Sequence, residues 1–228
     1  MGITSIWGPP QSGKTTLSVN LAYAISRGSE TVCLISPVTY SELTAYLGMN
    51  IPERKSLNAA LRGTAGIKQT VFKVDELFFV LAAPVTADAF DDNYSGEQVK
   101  ALLELVNVTF DNVIVDCPSN TNNLFAAWAL NKADKVVISL GGHVTDIMWY
   151  TANKRALKAV AKKTIQISNE NVSAFDYSAM HKHLKYKPTV LLPYVSEATL
   201  LQNEQKYIYG KAKSYSRAIN RLYEVIKS

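Results

Sequence analysis

The sequence predicts a three-layer α/β fold, in which a doubly wound, mostly parallel sheet of about seven strands carries helices on both faces. Two observations predict it. Short apolar runs alternate with longer stretches of roughly 3.6-residue apolar periodicity, which is the pattern of consecutive βαβ units. A glycine-rich turn separates the first apolar run from the first helical stretch. The length of 228 residues, 47% of them hydrophobic, suits one large domain over residues 1–228.

Each element is predicted from its local pattern. Short apolar runs predict strands at residues 3–7, 31–35, 78–82, 112–116, 135–140, 164–167 and 189–192. Helical periodicity predicts helices at residues 14–27, 97–108, 121–131, 145–161 and 214–226. The irregular stretches 36–66 and 87–96 are expected to form loops or short helices at the edge of the sheet.

Charge is distributed unevenly along the chain. Residues 1–150 carry 10 Lys and Arg against 14 Asp and Glu, whereas residues 151–228 carry 14 against 5. A basic C-terminal portion indicates a polyanionic partner, either nucleic acid or an anionic lipid surface, although a solvated lysine-rich face is an equal alternative. The basic residues fall at helical spacing in two sets: Lys154, Arg155, Lys158, Lys162 and Lys163 in one, and Arg217 and Arg221 in the other.

The two cysteines, Cys33 and Cys117, lie inside apolar runs and are expected to be reduced, buried thiols. The three histidines have no Cys or Asp at metal-ligand spacing. With no apolar run of about 20 residues and no secretory leader pattern, the chain is expected to be a cytoplasmic protein.

The turn between the first strand and the first helix matches the P-loop pattern G-x-x-x-x-G-K-[ST]. It reads Gly8-Pro9-Pro10-Gln11-Ser12-Gly13-Lys14-Thr15. Backbone N–H groups from Ser12 onward lie at the positive end of the following helix, where they are expected to encircle the β-phosphate. Because a strand precedes the motif and a helix follows it, the sequence predicts a P-loop NTPase fold that binds Mg-ATP.

Side chains in and opposite the loop have expected roles. Lys14 is expected to bridge the β- and γ-phosphates, Thr15 to ligate Mg²⁺, and Thr16 to lie near the α-phosphate. Asp116 ends a strand predicted to lie beside the P-loop, and its expected role is a Mg²⁺ contact, either direct or through water. Lys14 and Asp116 are therefore the candidate catalytic residues.

These features together resemble the ParA/MinD family of P-loop ATPases, which includes the positioning proteins TadZ and CpaE. Lys14 and Asp116 are 102 positions apart, and the acidic strand continues as Asp116-Cys117-Pro118. Residues 31–35, 47–49, 56–63, 80–84 and 133–138 resemble the family's second strand, switch I region, loop helix, third strand and the strand after switch II. The resemblance implies a nucleotide-dependent homodimer that recruits an unknown protein partner and acts in intracellular positioning or partitioning.

The chain departs from the family pattern where the family performs hydrolysis. The lysine that reaches across the family's dimer is replaced by Pro9, and the aspartates after the second strand are replaced by Ser36 and Val38. Asn120 stands where the family has a switch II glycine, which leaves γ-phosphate sensing by its backbone N–H open. The hypothesis is tight ATP or ADP binding with slow or absent hydrolysis. Orientation of the water by Gln11 or Asn120 remains the alternative.

The resemblance also places a base pocket after the last two strands, at residues 169–171 and 193–194. Asn169 and Pro193 are its candidates for contacting adenine, although a turn asparagine is the simpler interpretation of Asn169.

Two other functions share the motif. A metabolic P-loop enzyme, such as an ATP-dependent ligase or small-molecule kinase, would need a substrate pocket beside the γ-phosphate, and no catalytic carboxylate for it is apparent in the sequence. A ring-forming AAA+ module is disfavoured because Cys117, instead of Glu, follows Asp116.

Overall fold

One eight-stranded sheet forms the centre of the computed structural model, which describes residues 2–39, 41–63, 65–84 and 93–228. The strands are β1 (Gly2–Trp7), β2 (Val32–Ser36), β3 (Phe72–Lys73), β4 (Phe78–Ala82), β5 (Asn112–Asp116), β6 (Lys135–Leu140), β7 (Thr164–Asn169) and β8 (Val190–Leu192). Their order across the sheet is β3-β4-β2-β5-β1-β6-β7-β8. All neighbours are parallel except β3 and β4.

The predicted fold class is confirmed, and each of the seven predicted strands is present within two residues of its expected bounds. The eighth strand, β3, was missed. It pairs antiparallel with β4 through only Phe72↔Val80 and Lys73↔Phe79. Two residues cannot display an alternation of period two, so the sequence carries no signal for this edge strand.

The helices are α1 (Lys14–Arg27), α2 (Glu42–Tyr46), α3 (Leu57–Arg62), α4 (Ile67–Thr70), α5 (Gly96–Thr109), α6 (Leu124–Lys132), α7 (Val144–Ala152), α8 (Lys154–Val160), α9 (Tyr177–Leu184), α10 (Ala198–Asn203) and α11 (Lys213–Lys227). Short helices α2 and α3 occupy the irregular stretch 36–66, as expected. Residues 87–92 of the second irregular stretch lie outside the described residues.

The single helix predicted over residues 145–161 is wrong, because the chain forms α7 and α8 with a break at Asn153. The Asn153 amide donates to the carbonyl of Trp149 at 2.9 Å. Asparagine side chains that bond to the nearby backbone compete with helix continuation, which explains the break. The helix predicted over 121–131 begins instead at Leu124, since Asn123 caps it by accepting from the Ala126 amide at 2.9 Å.

The core lies in two layers, one on each face of the sheet. On one face α1, α2 and α11 pack on β1, β2 and β4, with Ile6 and Leu34 among the strand residues buried there. On the other face α3, α5, α6, α8 and α9 contribute to the core, with Trp7 and Ile35 buried beneath them. Because successive strand residues point to opposite faces, the continuous apolar runs of the sequence fill both layers.

Strand order positions the site. β1 lies between β5 and β6, with Ile6 level with Asp116 and Trp7 level with Ile138. The chain winds outward from β1 in both directions, so the carboxyl ends of these strands border a crevice at the point where the winding reverses. Among the described residues, no helix combines the length and the apolarity needed to cross a bilayer.

The basic C-terminal residues do not share one face. The first set belongs to α8 and the turn after it, on the same side of the sheet as α6, whereas Arg217 and Arg221 lie on α11, on the opposite side. Lys163 is separate again, because its ammonium donates to the carbonyls of Asn131 and Ala133 at 2.7 and 2.8 Å at the end of α6. The basic C-terminal portion therefore forms two separate surfaces, one for each of the two sets.

Candidate nucleotide-binding site

The P-loop joins β1 to α1 in a conformation that requires its glycines. Gln11 has φ 61° and Gly13 has φ 75°, both in the left-handed region. A Cβ on Gly13 would lie 2.5 Å from the Asn169 amide nitrogen, and a Cβ on Gly8 would clash with the Ser139 carbonyl oxygen. Glycine is thus needed at both ends of the loop for backbone conformation and for close packing against β6 and β7.

Side chains from the ends of β6 and β7 hold the carbonyls of the loop. Ser139 Oγ and Asn169 Nδ2 both donate to the Ser12 carbonyl at 3.0 Å, and Asn171 Nδ2 donates to the Gln11 carbonyl at 2.9 Å. The first N–H groups of α1 have no partner within the helix. With the carbonyls fixed on the side of β6 and β7, these amides are left for an anion.

Lys14 reaches back across the loop. Its ammonium donates to the Pro9 carbonyl at 2.6 Å and to Ser119 Oγ, in the segment after β5, at 3.0 Å. Burial lowers the pKa of Lys14, while the Asp116 carboxylate opposes that shift. The ammonium is therefore a cation held inside the loop by neutral oxygens, which phosphate oxygens can replace at a gain in charge pairing.

The paired oxygens of Thr15 and Asp116 fit a magnesium ion. Thr15 Oγ1 donates to Asp116 Oδ2 at 2.7 Å, and the carboxylate lies in the core with 7% of its surface exposed. Hard oxygen donors of this kind are what Mg²⁺ takes, usually with waters and phosphate oxygens completing its shell. Among the described residues, no cluster of three or more His, Cys, Asp or Glu side chains is placed to hold a metal ion.

The environment of Asp116 disfavours its ionised form. Burial raises the pKa of Asp116 from 3.8 to about 6, against the lowering effects of the Thr15 hydrogen bond and of the Lys14 charge. A buried carboxylate with an elevated pKa gains from an added cation, because the cation compensates the cost of desolvation.

A cleft of about 740 Å³ opens above the loop. Its lining includes Gly13, Lys14, Thr15, Thr16 and Asp116 on the phosphate side, and Asn169, Glu170, Asn171, Pro193, Tyr194 and Gln202 on the far side. A volume of several hundred Å³ is typical of a small-molecule site. The predicted base-pocket residues and the phosphate loop thus meet in one cleft.

Two of the predicted site residues have contacts that differ from those expected for a nucleotide-binding role. The amide nitrogen of Asn169 is already engaged with Ser12, which leaves its oxygen for other contacts. Asn120 is exposed, its Oδ1 accepts from the Asn122 amide at 2.9 Å, and its φ is not positive. Asn120 is not among the residues that line the cleft.

The switch I side of the cleft contains a carboxylate that sequence reasoning missed. Ser36 and Val38 line the cleft as expected for their positions, and Glu42, the first residue of α2, lines it too. Burial raises the pKa of Asp116 and the Glu42 charge adds to that shift, whereas burial lowers the pKa of Lys14 and the Glu42 charge opposes that shift. The available signal was the cap Ser41, whose hydroxyl accepts from the Leu43 amide and so starts a helix with Glu42 in its first turn.

Three further contacts were not foreseen. Gln202 of α10 donates to Thr16 Oγ1 at 3.0 Å and so ties the second P-loop hydroxyl to the far wall of the cleft. On α7, Trp149 Nε1 donates to the Ser119 carbonyl at 3.0 Å, and buried Asp146 accepts from the Gly141 amide at 2.6 Å. Helix α7 therefore supports both the segment after β5 and the turn after β6.

Comparison with known proteins identifies a family and several relatives. A family model described as an AAA domain matches residues 11–163. An ATP-binding protein of Methanocaldococcus jannaschii, itself uncharacterised, is 26% identical over 141 residues, which are 61% of this chain and 52% of that protein. The chain spans about half the length of the curated relatives it matches.

Solved structures match along the whole chain. The MinD cell division protein of Aquifex aeolicus has a TM-score of 0.80 at 18% identity, covering 100% of this chain and 98% of that one. The septum site-determining protein MinD of Pyrococcus horikoshii, solved with Mg-ADP, has a TM-score of 0.78 at 17% identity, covering 99% and 95%. At these identities the likeness establishes the fold.

Replacing Asp116 is expected to change how the metal-free fold responds to pH. The folded pKa of about 6 lies above the ordinary 3.8, so the stability contributed by this carboxyl group is complete below the lower value and is lost as the pH rises through the higher one. In a metal chelator, Asp116→Asn should raise the unfolding temperature near neutral pH, and the gain should vanish below about pH 4. Thermal unfolding followed by circular dichroism measures both.

Asp111 provides a control in which the pKa shift has the opposite sign, because hydrogen bonds from Thr31 lower the pKa of Asp111. Asp111→Asn should destabilise the fold near neutral pH and lose its effect in acid. Parallel behaviour of the two variants would contradict the explanation given for Asp116.

Proposed function

Because this chain belongs to the ParA/MinD family of P-loop ATPases, we propose that it binds Mg-ATP in the cleft at the end of β1 and uses the nucleotide as a switch in intracellular positioning or partitioning. One observation carries the proposal: the Lys14 ammonium and the Thr15–Asp116 pair lie at a loop that leads into the first amides of α1, which have no partner within the helix. This is an arrangement for a triphosphate and its metal.

We assign the P-loop residues to the phosphate groups of the nucleotide. The backbone of Gly8, Gln11, Ser12 and Gly13 would surround the β-phosphate, and the Lys14 ammonium would move from the Pro9 carbonyl to β- and γ-phosphate oxygens. Mg²⁺, when bound, supplies a Lewis acid that neutralises charge on the β- and γ-phosphates.

The remaining side chains would hold the metal and the nucleoside. Thr15 and Asp116 would hold Mg²⁺, with Thr16 at the α-phosphate and Asn169 and Pro193 at the base. Sensing of the γ-phosphate by Asn120 would require the segment after β5 to move, because this residue does not line the cleft.

Slow hydrolysis is part of the proposal. Pro9 provides no cation for a partner's phosphates, and its carbonyl is occupied by Lys14 and by the Ser12 hydroxyl at 2.9 Å. Ser36 is also engaged, since it accepts from the Ser41 hydroxyl at 2.8 Å. Without a trans cation or a carboxylate at the end of β2, the transition state loses interactions that each contribute several kcal/mol, roughly 3 for one such donor.

Glu42 is the residue on which we expect the remaining turnover to depend. Glu42 lines the cleft from α2, beside Ser36 and Val38. The Thr15 hydroxyl donates to Asp116 and not to Glu42, so the Glu42 carboxylate is available on the γ-phosphate side. A carboxylate in this position can orient a water molecule or accept its proton.

A nucleotide-dependent homodimer is also proposed. Val144 and Met148, one turn apart at the start of α7, are 69% and 68% exposed. Helix α7 begins directly after the turn that follows β6, so these apolar side chains lie at the same edge of the sheet as the nucleotide cleft. Apolar contact between two copies at this edge would take the place of the family's lysine.

The ATP-bound form would recruit a protein partner, and the exposed cations of α8 or of α11 would hold nonspecific DNA or another anionic surface. We also propose that the protein is cytoplasmic, because ATP and anionic surfaces such as DNA are both present in the cytoplasm.

Lys14→Ala tests nucleotide binding directly. Titration calorimetry with Mg-ATP should give saturable heat for the wild type and an affinity at least about tenfold weaker for the variant, because a charge-assisted contact to phosphate is lost. Lys132→Ala is the control, since Lys132 pairs with Glu104 outside the cleft. Absence of heat from the wild type at millimolar Mg-ATP would overturn the proposal.

Glu42→Gln tests the source of turnover. Single-turnover hydrolysis should slow by about tenfold or more while the affinity for ATP stays within a factor of two to three, since the group acts on water rather than on phosphate. Glu170→Gln removes the same charge from the far wall of the cleft and should leave the rate unchanged. Equal losses in the two variants would exclude a specific role for Glu42.

Met148→Glu tests the dimer. Light scattering should show the wild type doubling in mass with Mg²⁺ and a nonhydrolysable ATP analogue, and the variant remaining a monomer, because a buried charge opposes an apolar contact. Val108→Glu is the matched control, because Val108 is 77% exposed but lies near the end of α5, at the opposite edge of the sheet. A wild type that stays monomeric, or a Val108 variant that fails equally, would contradict this interface.

A further inference from the structure

A second cleft, of about 390 Å³, lies away from the nucleotide site. Its walls come from α7 and α8, and its floor from β6, the start of β7 and the residue before β8. Thr164 is the first residue of β7 and Thr189 directly precedes β8, so the cleft opens toward the amino ends of these strands. The nucleotide cleft opens at the carboxyl ends, and the two clefts share no lining residue.

Three lysines converge on this second cleft. Lys154 and Lys158, one turn apart on α8, line one side, and Lys187, in the segment before β8, lines the other. No acidic residue is among those lining the cleft, and none of the ion pairs found within the described residues involves these three lysines. Three positive charges around one cleft repel one another, and a bound anion would offset that repulsion.

The floor offers polar groups at fixed positions. Gln166 is one of the lining residues, and its Oε1 accepts from the Lys187 amide at 2.9 Å while its Nε2 donates to the Tyr150 hydroxyl at 3.4 Å. Thr164 and Thr189 complete the lining on the strand side, with the Thr164 hydroxyl donating to the Val160 carbonyl at 2.9 Å. The strand residues offer fixed polar groups, and the lysine side chains carry positive charge beside them. Such a site suits a polar ligand that carries phosphate groups.

We infer that this cleft binds a small molecule carrying two or more phosphate groups. A small ligand fits better than a nucleic acid, because the three cations surround a hollow instead of following a track along the surface. The other exposed basic helix, α11, lies on the opposite face of the sheet and cannot extend such a track. The inference does not depend on the proposed function, because no residue of the P-loop takes part.

Fructose 1,6-bisphosphate is a suitable probe, since it carries two phosphates and no base. Titration calorimetry should give saturable binding with one site per chain, to the wild type and equally to Lys14→Ala, which separates this site from the P-loop. Lys154→Gln/Lys158→Gln and Lys187→Gln should each weaken binding by about tenfold or more. Arg217→Gln/Arg221→Gln removes the same charge from α11 and should leave the affinity unchanged.

Three results would overturn the inference. The first is no saturable heat with the bisphosphate at millimolar concentration. The second is an equal loss of binding in the α8 and α11 variants, which would indicate a general effect of net charge. The third is binding of a DNA duplex, but not of the bisphosphate, that weakens with Lys154→Gln/Lys158→Gln, which would make the cleft part of a polymer-binding surface instead.

Discussion

The carbonyl of Ser12 is the point on which the site depends. Two side chains from neighbouring strands, Ser139 on β6 and Asn169 on β7, donate to this one oxygen, and they fix the direction of every amide that follows it. A loop free to turn its carbonyls inward would present partial negative charge to a phosphate. The sheet therefore does more than carry the P-loop, since the register of β6 and β7 determines which way the loop's dipoles face.

Charge burial explains why the site suits a charged ligand. Partial burial lowers the pKa of Lys14, and burial in the core raises the pKa of Asp116 to about 6. Lys14 donates to the Pro9 carbonyl and to Ser119 Oγ, and Asp116 accepts from the hydroxyls of Thr15 and Ser18, so the hydrogen-bond partners of both charges are neutral. Both ionised forms remain under-compensated, and a metal-bound polyphosphate supplies the opposite charge to each at once.

Helix α7 is common to both clefts. Asp146 and Trp149 face the nucleotide site, through the Gly141 amide and the Ser119 carbonyl, and the next residue, Tyr150, lines the second cleft. Tyr150 also packs edge-on against Tyr186, whose hydroxyl donates to the Ile138 carbonyl of β6 at 2.7 Å. A shift of α7 that accompanied nucleotide binding would thus alter the second cleft without any change in the sheet, because adjacent residues of one rigid helix serve the two sites.

The sequence by itself determined seven of the eight strands, the helices α1, α5 and α11, and the P-loop with Thr15 and Asp116 as partners, because apolar periodicity and a contiguous phosphate motif are local signals. Only the tertiary structure brought Asn169 and Asn171 to the loop, across 157 and 160 positions, and Glu42 into the cleft. It also separated the basic residues of α8 and α11 onto opposite faces of the sheet. Such contacts depend on strand order and on the face a helix covers, and neither is encoded in the spacing of residues along the chain.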